Sequence, residues 1–302
     1  MKEKVFLVFN TAAFGDVLLC NSLCQNIRKN FPSAKIVFIA DKPFEEVAKY
    51  QQDVDEVIIL DKKGIHKGIK GVVKFIREFP YKHAFCSFLT YKNGRNYMIS
   101  LLLGTQKIIS PKSLYDGNVQ LAHSMLLSKL SGVKVENLPI RYNVPDSSNQ
   151  KAEDLVHNTE NYITLCCLSK NPEKNMPTDV AIKIIQELNA KNYNLVFVGA
   201  GKKAKEYAKS LEKTNCKFIN LIDKTSVSEL GGVLKNSKCL ISVDTGTMHL
   251  GYAVSCPTVA IFYRTNTIPI WAPNPALYNV KIIGDDFSAE NILKKAIENI
   301  KG

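Results

Sequence analysis

The sequence predicts an α/β protein of two doubly wound domains, each a parallel sheet covered by helices. Three observations lead there. Short runs such as Val5–Phe9, Lys35–Ala40, Tyr162–Leu165 and Cys239–Val243 are almost wholly apolar and rich in β-branched residues, as strands buried on both faces are. Amphipathic stretches of helical length separate them, and this alternation implies parallel sheets with right-handed crossovers. The pattern runs once before and once after the polar segment Asn143–Gln150, which carries Pro145 and two serines and reads as a linker. The expected domains are therefore residues 1–145 and 146–302.

In the first half, the strand Val5–Phe9 leads through the small residues Thr11–Gly15 into a helix over 16–30. Its apolar positions Val17, Leu18, Cys20, Leu23, Cys24 and Ile27 recur at helical spacing, and Pro32 closes it. Strand 35–40, helix 43–51, strand 56–60, a basic helix over 65–79, strands 83–88 and 107–109, and a helix over 119–130 complete this half. The second half reads strand 162–165, helix 178–189, strand 195–199, helix 203–212, strand 217–220, helix 226–234, strand 239–243, a helix, strand 258–262, and a terminal helix over 288–300. Ser288 and Glu290 suit the start of that last helix. Two such domains place ligands in a cleft, at the C-terminal ends of their strands.

Composition narrows the function. A chain of 302 residues, 45% hydrophobic, is long enough for two cores. The net charge of +12 favours anionic partners, but no long block of Lys and Arg exists, and only 5 of the 40 cations are Arg. A dedicated nucleic-acid binder is not indicated. The eight cysteines form no Cys-x-x-Cys pair, so they read as buried reduced thiols and not as a zinc site. The N-terminus is charged and then briefly apolar, as a first strand is, and no stretch nears the ~18–20 apolar residues of a membrane span. A cytoplasmic protein is expected, with any membrane contact peripheral.

The most informative run is 241–262. The strand over 239–243 enters Asp244-Thr245-Gly246, a helix begins with His249 one turn inside it, and Thr258–Phe262 forms the next strand. Free backbone N–H groups at such a helix start suit a diphosphate, and Gly246 allows close approach. The plainer alternative is a capped turn with Asp244 near the N-cap. Neither a Walker loop nor Gly-x-Gly-x-x-Gly is present, so no hydride-transfer cofactor is expected.

Several segments carry a wider resemblance. Phe14-Gly-Asp-Val-Leu-Leu19 follows the first strand, and Asn30-Phe-Pro-Ser-Ala-Lys-Ile36 leads into the second. Lys174-Asn-Met-Pro177, Thr225-Ser226 with Glu229-Leu230, Asp244-Thr-Gly-x-x-His249 and Pro257-Thr-Val-Ala-Ile-Phe262 follow in order. Together they resemble the family-nine glycosyltransferases, the ADP-heptose:lipopolysaccharide heptosyltransferases, over nearly the whole chain. The departures are Asn21 where the family usually has Pro, Met176 for the common Trp, and Cys167-Leu168-Ser169 where many members have Pro-Gly-Ala.

The resemblance implies a GT-B fold, two Rossmann-like domains facing across a cleft. The first would hold the acceptor and the second the nucleotide sugar. It implies inverting transfer of a heptose or related sugar, with ADP-heptose as donor and a lipopolysaccharide core or other glycolipid as acceptor, and with no cofactor and no essential metal. Asp16 is then the general base; its plainer reading is a carboxylate favoured by the helix dipole. Lys174 neutralises the donor diphosphate, Thr245 and Gly246 bind it through backbone N–H groups, and Ser169 and Lys170 add phosphate contacts. Asp244 holds the sugar hydroxyls, His249 faces the donor and Glu206 takes the ribose. Asp53-Val-Asp55 looks like a metal-binding Asp-x-Asp but falls just before a strand and reads as a surface turn.

On the 65–79 helix, Lys67, Lys70, Lys74 and Arg77 fall on one side, opposite Ile69, Val72, Val73 and Ile76. A solvated face on a packed helix is the plainer reading. Contact with a phosphorylated acceptor or an anionic membrane surface is the functional one. Two other readings of the whole chain are a non-catalytic nucleotide-sugar or polyanion binder on the same scaffold and a sugar-nucleotide epimerase of similar architecture.

Overall fold

The computed structural model describes residues 3–112 and 117–301. The chain divides into two compact units, residues 1–141 and 142–302.

The first unit is a five-stranded parallel sheet in the order β3-β2-β1-β4-β5. Its strands are β1 (Val5–Phe9), β2 (Lys35–Ala40), β3 (Glu56–Ile59), β4 (Cys86–Leu89) and β5 (Ile108–Ile109). Its helices are α1 (Phe14–Leu19), α2 (Asn21–Asn30), α3 (Glu45–Lys49), α4 (Gly68–Glu78), α5 (Gly94–Leu102) and α6 (Val119–Met125). The chain winds outward from β1 to β3 and then crosses back to β4. The order therefore reverses between β1 and β4, which opens a crevice at their C-terminal ends.

The expected helix over 16–30 is two helices. Asn10 Nδ2 and the Cys20 thiol both donate to the Asp16 carbonyl at 3.2 Å, and the Cys20 N–H turns to Val17 instead. Side chains inserted in the ladder thus break the helix at Cys20. Beyond the break, amides on α2 act as backbone surrogates. Asn26 and Asn30 each exchange hydrogen bonds with a peptide unit of the irregular segment before residue 141, at Glu136 and Lys134. Asn21, fully buried, donates to the Gln52 carbonyl and accepts from the Arg141 N–H and the Gln25 amide. The Asn in place of the family's Pro thus pins two loops to α2.

The second unit is a six-stranded parallel sheet in the order β11-β10-β9-β6-β7-β8. Its strands are β6 (Tyr162–Cys166), β7 (Asn194–Phe197), β8 (Ile219–Asn220), β9 (Cys239–Val243), β10 (Thr258–Ile261) and β11 (Val280–Ile283). Its helices are α7 (Asp146–Leu155), α8 (Thr178–Ala190), α9 (Lys202–Glu212), α10 (Val227–Lys235), α11 (Gly246–Ala253), α12 (Ile268–Trp271) and α13 (Ala289–Lys301). Here the order reverses between β6 and β9. The strands β6 and β9 are buried throughout, as their apolar sequences require.

Three expectations need correction. The stretch 143–150 is not a linker, because α7 runs through it and packs on α10. The glycine pair Gly231–Gly232 permits that close approach: a Cβ on Gly232 would stand 2.7 Å from the Ala152 Cβ. The helix α5 and strand β11 were missed. The α5 sequence is apolar on more than one side, so helical periodicity does not stand out in it. On α4 the buried residues are Gly71, Val72 and Phe75, whereas Ile69 and Val73 face outward, at 83% and 49% exposure. The expected packed side therefore divides, and part of it lies in solvent. All eight cysteines are buried and unpaired, and no described helix is long and apolar enough to cross a membrane.

Candidate functional site

Each unit carries one constellation at the switch point of its sheet. In the second unit it is built from the loops after β6, β9 and β10. The Lys174 ammonium lies 2.5 Å from Asp244 Oδ2, a half-buried cation against a buried carboxylate. The loop that delivers Lys174 is fixed along its length. Asn175 accepts from the Ser169 N–H, the Asn171 side chain caps the short turn 172–174, and the Met176 N–H donates to the Cys167 carbonyl. Met176, which replaces the family's Trp, is buried against the Cys167 thiol at 3.7 Å, and its carbonyl accepts from the Tyr207 hydroxyl. The smaller side chain thus still backs the loop.

Directly after Asp244, α11 begins. Its N-cap is Thr245 in extended conformation, with no side-chain cap. Asp244 does not cap the helix, because its carboxylate is turned to Lys174, with the Thr267 hydroxyl 3.4 Å away. The first N–H groups of a helix have no partners within it, so they and the positive dipole end remain for an anion. The body of α11 is buried from Thr247 to Ala253, with Thr247, His249 and Tyr252 buried among its apolar residues. A Cβ on Gly251 would lie 2.4 Å from Leu240 Cδ2, so glycine is what lets the helix rest on β9. His249 is buried too. Its Nδ1 pairs with the Tyr252 hydroxyl at 2.5 Å and its ring lies edge-on to Tyr252. Burial pushes its pKa down to about 4, so it is a neutral imidazole at physiological pH.

The other expected donor residues are placed differently. The Ser169 hydroxyl is engaged locally, donating to the Asn171 carbonyl and accepting from the Asn171 N–H. Lys170 is exposed. Glu206 stands exposed on α9, with Lys202 at 3.8 Å, and is not gathered with Lys174 and Asp244. Its helix nevertheless opens on the same edge of the sheet, after a turn in which Gly201 adopts φ +86° and donates to Asp223. Sequence reading missed Thr267 and Arg264, whose guanidinium reaches Glu173 at 3.4 Å. Their position just beyond β10 is the signal that could have found them.

In the first unit the constellation is the β1–α1 turn. Asn10 Oδ1 accepts from the Ala12 N–H, the Thr11 hydroxyl meets the Tyr91 hydroxyl at 2.6 Å, and the Lys62 ammonium donates to the Thr11 carbonyl at 2.6 Å. The segments after β3 and β4 thereby tie the turn that follows β1. Asp16 follows, in the first turn of α1. Burial raises its carboxyl from the ordinary 3.8 to about 6, and only its own backbone N–H opposes the rise. The titratable groups behind it bring no cation: Cys20 is pushed up to about 12 and His123 down to about 4, both by burial. A carboxylate near 6 is matched to accepting a proton at neutral pH. Tyr91 and Lys62 were not anticipated; both lie just past a strand's C-terminal end.

Lys67, Lys70 and Lys74 are exposed on or just before α4, with Lys74 4.0 Å from Glu78. Asp55 makes two 2.6 Å hydrogen bonds to Arg28, and Asp53 lies 3.9 Å from the same guanidinium. Both carboxylates of the Asp-x-Asp look-alike thus face an arginine. Among the described residues no group of three or more His, Cys, Asp or Glu side chains is placed to hold a metal ion.

Comparison with known proteins bears on the family and the fold. The family model for glycosyltransferase family 9 (heptosyltransferase) matches residues 96–297. Similar solved structures include a family 9 glycosyl transferase from Veillonella parvula DSM 2008, with TM-score 0.85, 19% identity and coverage of 99% of this chain and 97% of that one. The E. coli ADP-heptose LPS heptosyltransferase II has TM-score 0.80 and 15% identity, covering 99% and 98% of the two chains. The E. coli heptosyltransferase WaaC with ADP has TM-score 0.73 and 16% identity, covering 98% and 99%. No curated protein matches the chain by sequence.

Proposed function

The chain belongs to glycosyltransferase family 9, the heptosyltransferase family, and has its GT-B fold of two Rossmann-like units; on that premise we propose that it transfers a heptose from ADP-heptose to a lipopolysaccharide-core acceptor with inversion. The observation that carries the reading is the Lys174–Asp244 pair beside the uncapped start of α11. A cation, a carboxylate and free amides converge there, which is what a sugar diphosphate needs.

In this reading the second unit, taken as residues 146–302, binds the donor. The α11 amides of Thr245 and Gly246 hold the diphosphate, and Lys174 shares its three donors between the diphosphate and Asp244. Asp244 accepts from the sugar hydroxyls, Ser169 and Lys170 border the phosphates, and Glu206 takes the ribose. His249 supports the donor face as a neutral ring. The first unit, residues 1–145, holds the acceptor and supplies the base. Asp16 takes the proton of the acceptor hydroxyl, whose oxygen attacks the anomeric carbon. The anomeric C–O bond to phosphate breaks, and ADP leaves with the electron pair. Lys174 and the helix dipole stabilise the developing charge, so no divalent metal is needed. Such an acceptor is a glycolipid, which sets the reaction at a membrane surface.

Calorimetric titration with ADP and ADP-heptose tests the donor half. Micromolar binding that Gly246→Val abolishes while the melting temperature holds is the expected result. Unaltered binding in Gly246→Val overturns the placement at α11.

A further inference from the structure

Nine large apolar side chains are exposed among the described residues, all in the first unit, and seven of them lie on or just before α4 and α5. On α4 they are Ile69 and Val73, one turn apart on one side of the helix, with Ile65 in the turn before it. On α5 the most exposed are Leu101 and Leu102, at 60% and 58%. The two helices share a core: Val72 and Phe75 of α4 and Ile99 of α5 pack in one cluster, with Leu7 and Val37 of the sheet. Both therefore cover the same face of the sheet, and their outer sides point away from it together. The Arg95 guanidinium, in the first turn of α5, donates to the His66 carbonyl just before α4 and ties the two starts.

The charge of this region is as uneven as its polarity. Residues 61–106 carry nine Lys and Arg against two acids, Asp61 and Glu78, a net +7 of the chain's +12. Lys67, Lys70 and Lys74 are exposed on or just before α4, the helix that carries Ile69 and Val73, whereas Lys62 is held at the β1–α1 turn by Asp41 and the Thr11 carbonyl. A face both cationic and apolar suits an anionic interface into which side chains can sink. A second copy of the chain would bring the same cations against each other, so charge argues against self-association here.

We infer that the outer face of α4 and α5 docks in plane on a bilayer containing anionic lipids, with Ile69, Val73, Leu101 and Leu102 in the headgroup region and Lys67, Lys70 and Lys74 among the phosphates. Helix α5 begins soon after β4, and α4 follows the loop 60–67 that leaves β3; both lead off the C-terminal edge of the sheet, the edge after which Asp16 also follows β1. A docked bilayer would present a lipid-borne acceptor to that edge, so the surface deepens the glycolipid reading. Vesicle binding itself needs no substrate, so the two can fail separately.

Flotation of the full chain with phosphatidylcholine vesicles, with or without phosphatidylglycerol, tests the docking. The parent should float only with the anionic vesicles and be released by salt. Lys67→Glu/Lys70→Glu/Lys74→Glu should bind about a hundredfold more weakly, and Ile69→Ser/Leu101→Ser about tenfold more weakly at unchanged charge. These side chains are exposed, so melting temperatures and ADP affinity should match the parent for the Ile69/Leu101 variant. No flotation of the parent, or equal flotation of the serine variant, overturns the inference. So does stronger release by inorganic phosphate than by chloride at equal ionic strength, which would mark a phosphate site. A dimer that Ile69→Ser dissolves, without vesicle binding, would show that a second copy covers the face.

Discussion

Asp16→Asn should make the protein more stable at neutral pH while removing its base. Burial raises the carboxyl from 3.8 to about 6. Holding it ionised in that setting costs the fold up to about 3 kcal/mol. The sign follows from proton binding. Between pH 3.8 and about 6 the unfolded chain has released a proton that the folded chain still keeps. Stability from this group is therefore lost as pH rises through that window and stays lost above it. A neutral amide escapes the cost, but its N–H groups need partners, which takes back about 1 kcal/mol. The net gain should be about 1–2 kcal/mol near pH 7.5 and vanish or reverse near pH 4. Urea unfolding of the full chain, parent and variant, at several pH values reads this directly. A stability difference that does not change with pH, or a variant less stable at every pH, would refute a desolvated Asp16 carboxylate.

Further outcomes follow from the same residues. Lys174→Ala should weaken ADP binding by about ten- to a hundredfold, as the loss of a charge-assisted contact does; equal affinity in a calorimetric titration would remove the lysine from the diphosphate. The kcat/KM of the parent should rise with pH to a plateau with a midpoint near 6, where Asp16 loses its proton; a flat profile would point to another base. Transfer should survive a chelator, and complete loss would call for a metal. Gly232→Ala should destabilise by about 1–3 kcal/mol, because its Cβ would crowd Ala152 and the α7 backbone at Asn149; an unchanged unfolding midpoint would show that α7 gives way without cost.

Much of the fold was legible because parallel strands buried on both faces are almost wholly apolar, as β1, β2, β6 and β9 are. The turn before α11 was legible as a helix start after a strand. Less legible was whatever depends on partners distant in sequence. Lys174 and Asp244 are 70 residues apart, and no local pattern announces that they pair. His249 sits in a motif, yet its burial against Tyr252 comes from α11 being enclosed on all sides. The break at Cys20 depends on Asn10, a residue of the preceding turn that reaches the Asp16 carbonyl. The α4 periodicity was read correctly as helical, but periodicity cannot say which of two apolar stripes meets the core. Gly71, Val72 and Phe75 do, which leaves Ile69 in solvent. The polar 143–150 stretch looked like a linker because α7 has one buried residue, Ala152, and a short apolar signature.

Transfer with Asp16 as the base is tested most directly by acceptor-dependent release of ADP from ADP-heptose, measured for the parent and for Asp16→Asn at saturating donor. The parent should release ADP steadily, and Asp16→Asn about a hundred- to ten-thousandfold more slowly, with an ADP affinity within about twofold of the parent's, because the base acts only in the transition state. Release by Asp16→Asn at the parent's rate, or no release by a parent that binds the donor and is given a lipopolysaccharide-core acceptor, would contradict that mechanism.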